Sequence, residues 1–293
     1  MSVAIPPRPP IKSTEVFKKD IFEGKVLFCT GGPSGICKAM TKSIMSHGAD
    51  AIIIGRKVDK GEAAAKELSN ATGQRCVFAQ ADVREPEQLK AAAKKCIDTF
   101  GKIDFVICGA AGNFLAPISG LSENAFATVV RIDTLGTFNT IKATLPHVRR
   151  TRGSYIHVSA TLHYYGTPYQ AHVSAAKAGV DALSNVLAVE EGPRGVRSNV
   201  IAPGPILGTE GMDRLTPVGK KDAITRSVPL QRQGGLDDVP NTAVFLFSEA
   251  ANWVTGQIIA VDGGAMHTNK GSLPYPDSVL DPEGATKSIR AKM

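Results

Sequence analysis

The sequence predicts one α/β domain, a doubly wound parallel sheet of about seven strands, and three observations carry that expectation. Short β-branched runs alternate with amphipathic helical stretches from residue 25 onward. Gly31, Gly32 and Gly35 stand between the first of those runs and the first helical stretch. A chain of 293 residues suffices for one large sheet covered on both faces and leaves little for a second domain.

Taken in order, the strands are read at KVLFCT, DAIIIG, CVFAQAD, IDFVICGA, SYIHVSA, VRSNVIAPG and QIIAVDGG. Between them lie the helical stretches GICKAMTKSIMSHG, KGEAAAKELSNATG, EQLKAAAKKCIDTFG, ENAFATVVRIDTLGTFNTIKATLPHVR, 172–191 and 238–249. The sheet domain is assigned to 24–265. Residues 1–23 read as a Pro-rich N-terminal arm, and 266–293 as a tail with little periodic apolar pattern. Within the domain, 206–232 is polar and broken by Pro217, Gly219 and Pro229, which suits a mobile active-site lid.

Composition narrows the function classes. Hydrophobic residues make up 43% and charged residues 21%, ordinary for a globular chain. No apolar run approaches the roughly 20 residues of a membrane span, so no integral membrane contact is expected. The excess of 34 basic over 27 acidic residues, a net charge of +7, suits a phosphorylated small molecule. Nucleic acid fits less well, because the basic residues are scattered over helical faces without an arginine block interleaved with aromatics. The five cysteines, Cys29, Cys37, Cys76, Cys96 and Cys108, show no metal-ligand spacing. They read as buried free thiols in a reducing compartment, and no metal is expected.

KVLFCTGGPSGIC has the strand–glycine loop–helix order of a Rossmann phosphate-binding turn. Glycine permits positive φ and lets the backbone approach a pyrophosphate at the helix N-terminus. A ligand-free glycine turn is the alternative. The third small position holds Cys37, larger than glycine, so helix and strand must pack differently there. After the second strand, where an acid would greet the ribose of NAD, the chain has Gly55-Arg56-Lys57. Arg56 can pair with a 2′-phosphate and Lys57 can add charge, so NADP(H) is expected over NAD(H); a solvated basic turn is the alternative. Asp82, ending the third strand, is placed to accept from the adenine amino group, and CGAAG supplies small residues around the adenosine.

TGGPSGI, Asp82-Val83, GAAG, the helix carrying Lys177, NVIAPGPI and WVTGQIIAVDGG together resemble the short-chain dehydrogenase/reductase superfamily over about residues 24–265. The resemblance implies a Rossmann fold, nicotinamide hydride transfer and a homo-oligomer, dimer or tetramer. Of the superfamily's Asn, Ser, Tyr and Lys, Lys177 survives. The tyrosine falls on Val173, the serine on Ala160 with Ser159 beside it, and the asparagine on Asp133. Valine cannot deliver a proton to a carbonyl oxygen. A carbonyl reductase would need Tyr164, Tyr165 or Tyr169 as a relocated phenol. Reduction of a conjugated thioester needs instead a proton on carbon, which water held between Asp133 and Lys177 can supply. An inactive NADP(H)-binding sensor or scaffold is the third reading.

CGAAGNFLAP, SENAFATVVRIDTLGTFN and APGPILGTEGMDRL are similar to motifs of the peroxisomal 2,4-dienoyl-CoA reductase group. That resemblance implies Asp133 and Lys177 as catalytic residues. It implies contacts to a fatty acyl-CoA from Arg56, Arg84, Phe114, the Ser122 to Asn124 segment and Arg214. Contacts to NADPH are implied for Gly31, Pro33, Ser34, Gly35, Ile36, Cys37, Lys38, Arg56, Lys57, Lys60, Asp82, Val83, Ala110, Gly112, Lys177, Pro203, Gly204, Ile206 and Thr209. The structural alternatives are a helix-to-loop tie for Asp133, core packing for Phe114, and solvated charge for Arg84 and Arg214. Glu123 would repel a phosphate, so its segment is expected to act through its backbone or neighbours. The C-terminal AKM is similar to the SKL-type peroxisomal address read by an import receptor, which fits a peroxisomal acyl-CoA reductase.

Overall fold

The computed structural model describes residues 9–209, 221–268, 281 and 283. Its centre is one sheet of seven parallel strands: β1 (Val26–Thr30), β2 (Asp50–Gly55), β3 (Cys76–Gln80), β4 (Phe105–Cys108), β5 (Ser154–Val158), β6 (Arg197–Pro203) and β7 (Ile258–Val261). They lie in the order β3-β2-β1-β4-β5-β6-β7. Strand addition reverses direction between β1 and β4. Open sheets of this kind bind ligands in the crevice beyond the C-terminal strand ends at that reversal.

The strands are apolar on both faces because both faces are covered. Leu27 and Cys29 of β1, Ile53 of β2, and Phe105 and Ile107 of β4 join one core with Met40, Ile44 and Phe247. Their neighbours Val26, Phe28, Ile52, Ile54, Val106 and Cys108 point the other way, into a core with Leu89, Ala92 and Ile141. Burial of each Leu, Ile or Phe contributes about 1.5–3 kcal/mol against the entropy of ordering the chain. The described helices are α1 (Gly35–Met45), α2 (Val58–Thr72), α3 (Pro86–Phe100), α4 (Glu123–Val130), α5 (Gly136–Thr151), α6 (Ala171–Glu191), α7 (Lys221–Ser227) and α8 (Asp238–Phe247).

Two local differences from the sequence reading matter. The long helix expected after residue 123 is interrupted by a π-helical turn, Arg131–Leu135, between α4 and α5. Backbone dihedrals stay right-handed through both junctions, so the insertion makes no positive-φ demand on the residues there, Gly136 included. Part of the expected arm is packed. Phe22 is buried in the α1-side core, the His47 ring bonds Ser13 at 3.0 Å, and the Asn241 amide donates to the Ile11 carbonyl at 2.7 Å.

Residues 1–8, the 210–220 part of the expected lid with Arg214, and the C-terminal AKM lie outside the described residues. Flanking that gap, Ile206 bridges to Gly234, and Arg232 grips Asp238 at 2.6 Å. No helix among the described residues is long and apolar enough to cross a membrane, and none of their side chains form a cluster of three metal ligands.

Candidate active site

The β1–α1 loop has the shape a dinucleotide phosphate requires. Gly31 has φ +74°, and a Cβ there would lie 2.8 Å from the Gly109 carbonyl oxygen. Ser34 begins α1 in extended conformation with its hydroxyl unused as a cap, leaving the first backbone amides directed outward. The bulk of Cys37 is absorbed across the cleft. Its Sγ sits 3.6 Å from the Gly109 carbonyl, and a Cβ on Gly109 would come within 2.2 Å of that sulfur. Cysteine therefore fits at residue 37 because residue 109 is glycine.

At the end of β2, Arg56, Lys57 and Lys60 are exposed, and Arg56 makes no ion pair among the described residues. Lys38 turns its ammonium to Glu67 at 2.6 Å, so its expected cofactor contact is left to its backbone. Asp82 is gripped by Arg84, Nε to Oδ1 at 3.0 Å and Nη2 to Oδ2 at 2.6 Å. Those bonds hold its carboxyl below the usual range. A carboxylate offers about four lone-pair sites, so acceptor capacity toward adenine remains. Val83 is buried against Gly136, and Gly204 donates to the Val261 carbonyl at 3.1 Å. Beyond Pro203, Ile206 is buried and its carbonyl accepts from Thr209 at 2.9 Å.

The π-helical turn delivers Asp133 to the same crevice. Such one-turn insertions recur at functional sites. Thr134 donates to the Ala176 carbonyl at 2.8 Å and packs against Gly179, clamping the turn onto α6. Asp133 is wholly buried: Oδ1 accepts the Gly112 amide at 2.8 Å, and Oδ2 lies 3.1 Å from the Lys177 ammonium. The ammonium donates to the Val158 carbonyl at 2.8 Å. Asp133 Oδ2 makes an ion pair but no hydrogen bond. Gly112, expected at the cofactor, spends its amide on Asp133. The helix-to-loop tie expected as the alternative for Asp133 is thus present as well, made by the same carboxylate.

The Tyr164 phenol does not take the place of the missing one. Val173 is buried with Val129 and Ala176, filling the first turn of α6. Tyr164 donates to Asp181 Oδ2 at 2.7 Å, and burial, then Asp181, push its pKa up. Tyr169 is buried with φ +65°, its carbonyl accepting from Ala116. One residue the sequence reading passed over does enter: His172, beside Val173, is fully buried and stacks on Phe114 at 4.2 Å. Its signal was its place in the window where the tyrosine was sought.

Phe114 is 38% exposed, which sets aside the core alternative for it. Ser122 caps α4 by accepting the Ala125 amide at 3.2 Å, and both Ser122 and Asn124 are exposed. Arg84 is exposed and pairs with Asp82 at the surface.

A profile of the enoyl-(acyl carrier protein) reductase family matches residues 31–266. The peroxisomal 2,4-dienoyl-CoA reductase [(3E)-enoyl-CoA-producing] of Saccharomyces cerevisiae is 47% identical over 280 residues, covering 94% of each chain. The chain belongs to the short-chain dehydrogenase/reductase superfamily and, within it, to the 2,4-dienoyl-CoA reductases. The peroxisomal enzyme of Danio rerio is 45% identical over 263 residues, 88% of this chain and 87% of that one. Among solved structures, a short-chain type dehydrogenase/reductase from Mycobacterium ulcerans superposes with a TM-score of 0.82 at 30% identity, covering 92% and 98%. The superfamily's scaffold is therefore kept around a site that carries Asp133 and Val173.

Proposed function

We propose that the protein reduces 2,4-dienoyl-CoA thioesters to (3E)-enoyl-CoA with NADPH, in the peroxisome, during β-oxidation of unsaturated fatty acids. The observation that carries this reading is the buried Asp133–Lys177 pair beside a helix position filled by Val173. The glycine loop, with its close approach to Gly109, fits a pyrophosphate, and exposed Arg56, Lys57 and Lys60 fit a 2′-phosphate. Asp82, Val83, Ala110, Gly112, Pro203, Gly204, Ile206 and Thr209 would complete the cofactor cleft. Bound there, NADPH supplies a hydride to the far carbon of the diene.

The chain's own work is then electrostatic and protonic. Negative charge spreads over the dienolate and the thioester oxygen, and the buried Lys177 ammonium lowers its cost. A water held by Asp133 and Lys177 delivers the proton to the carbon next to the thioester. Asp133 orients it, and Lys177 relays a replacement proton. Arg56, Arg84 and Arg214 suit the CoA phosphates, Phe114 the acyl chain, and Ser122 and Asn124 the pantetheine amides through polar contacts. Trp253, 96% exposed, supports assembly into a homo-oligomer, and the terminal AKM supports recognition by a peroxisomal import receptor.

Purified protein with NADPH and 2,4-hexadienoyl-CoA is expected to bleach nicotinamide absorbance. Turnover of simple ketones without turnover of the dienoyl thioester would favour the carbonyl reductase, and binding without either would favour the sensor. For the cofactor, Arg56→Ala is expected to lower kcat/KM for NADPH by about 10- to 100-fold, the loss of one or two charge-assisted hydrogen bonds. The same parameter for NADH should change little; a parallel fall would place Arg56 elsewhere.

A further inference from the structure

His172 is the second residue of α6, five residues before Lys177, and has no exposed surface. Neither ring nitrogen has a hydrogen-bond partner. Each buried polar atom left in that state costs about 1–3 kcal/mol, and native folds keep few of them outside functional sites. The ring is not loosely placed, because Phe114 stacks on it at 4.2 Å and 31°. Burial lowers its pKa, while the Phe114 carbonyl, outside hydrogen-bond geometry, and the charge of Asp133 act in the opposite sense. A neutral imidazole carries one N–H and one lone pair. In the same electrostatic neighbourhood, Asp133 Oδ2 also lacks a hydrogen bond.

We propose that His172 is the third holder of the proton-donating water, giving it an N–H hydrogen bond alongside Asp133 and Lys177. The inference rests on the Asp133–Lys177 reading of the site and deepens it. A water oxygen accepts two hydrogen bonds and donates two. Accepting from Lys177 and His172, and donating one hydrogen to Asp133 Oδ2, it has a single O–H left for the substrate carbon. With two holders its orientation is under-determined; with three it is fixed.

The step balances without a further reactant. The dienolate electron pair forms a C–H bond at the carbon next to the thioester, and the water O–H bond breaks. The hydroxide left behind is stabilised by the His172 N–H and the Lys177 ammonium. It takes a proton from that ammonium, and the lysine regains one from bulk water. The imidazole stays neutral throughout, which suits its burial. It offers a donor in the region where the superfamily's phenol and serine are missing. Phe114, half exposed on one side and stacked on the imidazole on the other, connects the acyl chain to the orientation of this donor.

The test uses the full-length protein, NADPH and 2,4-hexadienoyl-CoA. His172→Phe keeps an aromatic ring against Phe114 and removes both nitrogens. Its kcat is expected to fall about 10- to 100-fold, the scale of a misdirected proton donor, while NADPH affinity holds. The thermal midpoint should hold or rise, since an orphaned polar group becomes apolar. The solvent deuterium isotope effect on kcat should grow as proton delivery limits the rate. His172→Gln, which restores an N–H, should recover most of kcat. A His172→Phe enzyme within about threefold of wild-type kcat would overturn the proposal. So would a joint fall of kcat, thermal midpoint and NADPH affinity that His172→Gln fails to rescue. Failure of the wild-type protein to oxidise NADPH with hexadienoyl-CoA would instead overturn the function on which the proposal stands.

Discussion

Two buried carboxylates flank the same stretch of α6 and take opposite parts. Asp133, presented by the π-helical turn, faces an ammonium and a backbone amide. Asp181, one helical turn after Lys177, takes the Tyr164 phenol and the His163 imidazole on one oxygen, each at 2.7 Å. One carboxylate keeps a cation poised in the crevice; the other withdraws a phenol from use. The difference explains how a scaffold built around a tyrosine can lose it. The Tyr164 phenol is tied to Asp181, while Asp133 is left facing the Lys177 ammonium.

The comparison breaks most directly at Asp133 and Lys177. Asp133→Asn and Lys177→Ala are each expected to lower dienoyl-CoA turnover by about 10³-fold or more, as for residues acting as one unit, and the double variant should be little worse than either single one. Lys177→Ala also leaves a buried carboxylate unpaired. It should cost about 3–5 kcal/mol of stability, whereas Asp133→Asn, isosteric with the superfamily's residue, should cost less. Thermal melts beside the nicotinamide assay separate the two losses. If Asp181→Asn abolished turnover as fully, the division of labour between the carboxylates would be wrong.

Much of this was legible in the sequence, and the boundary has physical causes. Strands, helices and the glycine loop announce themselves through periodicity and backbone demands that act over a few residues. Asp133 and Lys177 were legible as a departure from a known pattern, though the means of their meeting was not. The π-helical turn has no sequence mark, because an inserted residue inside a helix changes neither propensity nor polarity. Gly109 accommodating Cys37, and Phe114 stacking on His172, are contacts across 72 and 58 positions, decided by packing that no local window contains. The pairing of the Lys38 ammonium with Glu67, 29 residues on, is likewise set by packing outside any local window.

Restoring the lost residue sharpens the comparison further. Val173→Tyr places a phenol where the superfamily has one, but Val129, Ala176 and Leu162 already fill that space. Overpacking of this kind costs about 1–3 kcal/mol, so the thermal midpoint should fall. Ketone reduction should not appear, because the accompanying serine is Ala160 and the asparagine Asp133. Dienoyl-CoA turnover should drop by less than in the Asp133 variants. Ketone turnover in Val173→Tyr alone would mean that the phenol was the whole of the difference.

The smallest effect is expected at the second carboxylate. Burial alone would raise the Asp181 pKa, but hydrogen bonds led by His163 and including Tyr164 overcome that and hold it below its ordinary value. A carboxylate depressed in the fold contributes stability that is present above its unfolded pKa, about 4, and lost as pH falls through the folded value. Tyr164→Phe removes one donor, so the folded value rises, the contribution shrinks, and its loss on acidification, which still begins near the unfolded pKa, is complete at a higher pH. At neutral pH the variant should be about 1 kcal/mol less stable, the worth of one such bond. Its acid-unfolding midpoint should move to higher pH. Turnover of hexadienoyl-CoA should stay within about twofold of wild type, since the phenol's proton is committed to Asp181 and takes no part in the relay. A large kinetic loss at unchanged acid stability would reverse the assignment and make Tyr164, rather than water, the proton donor.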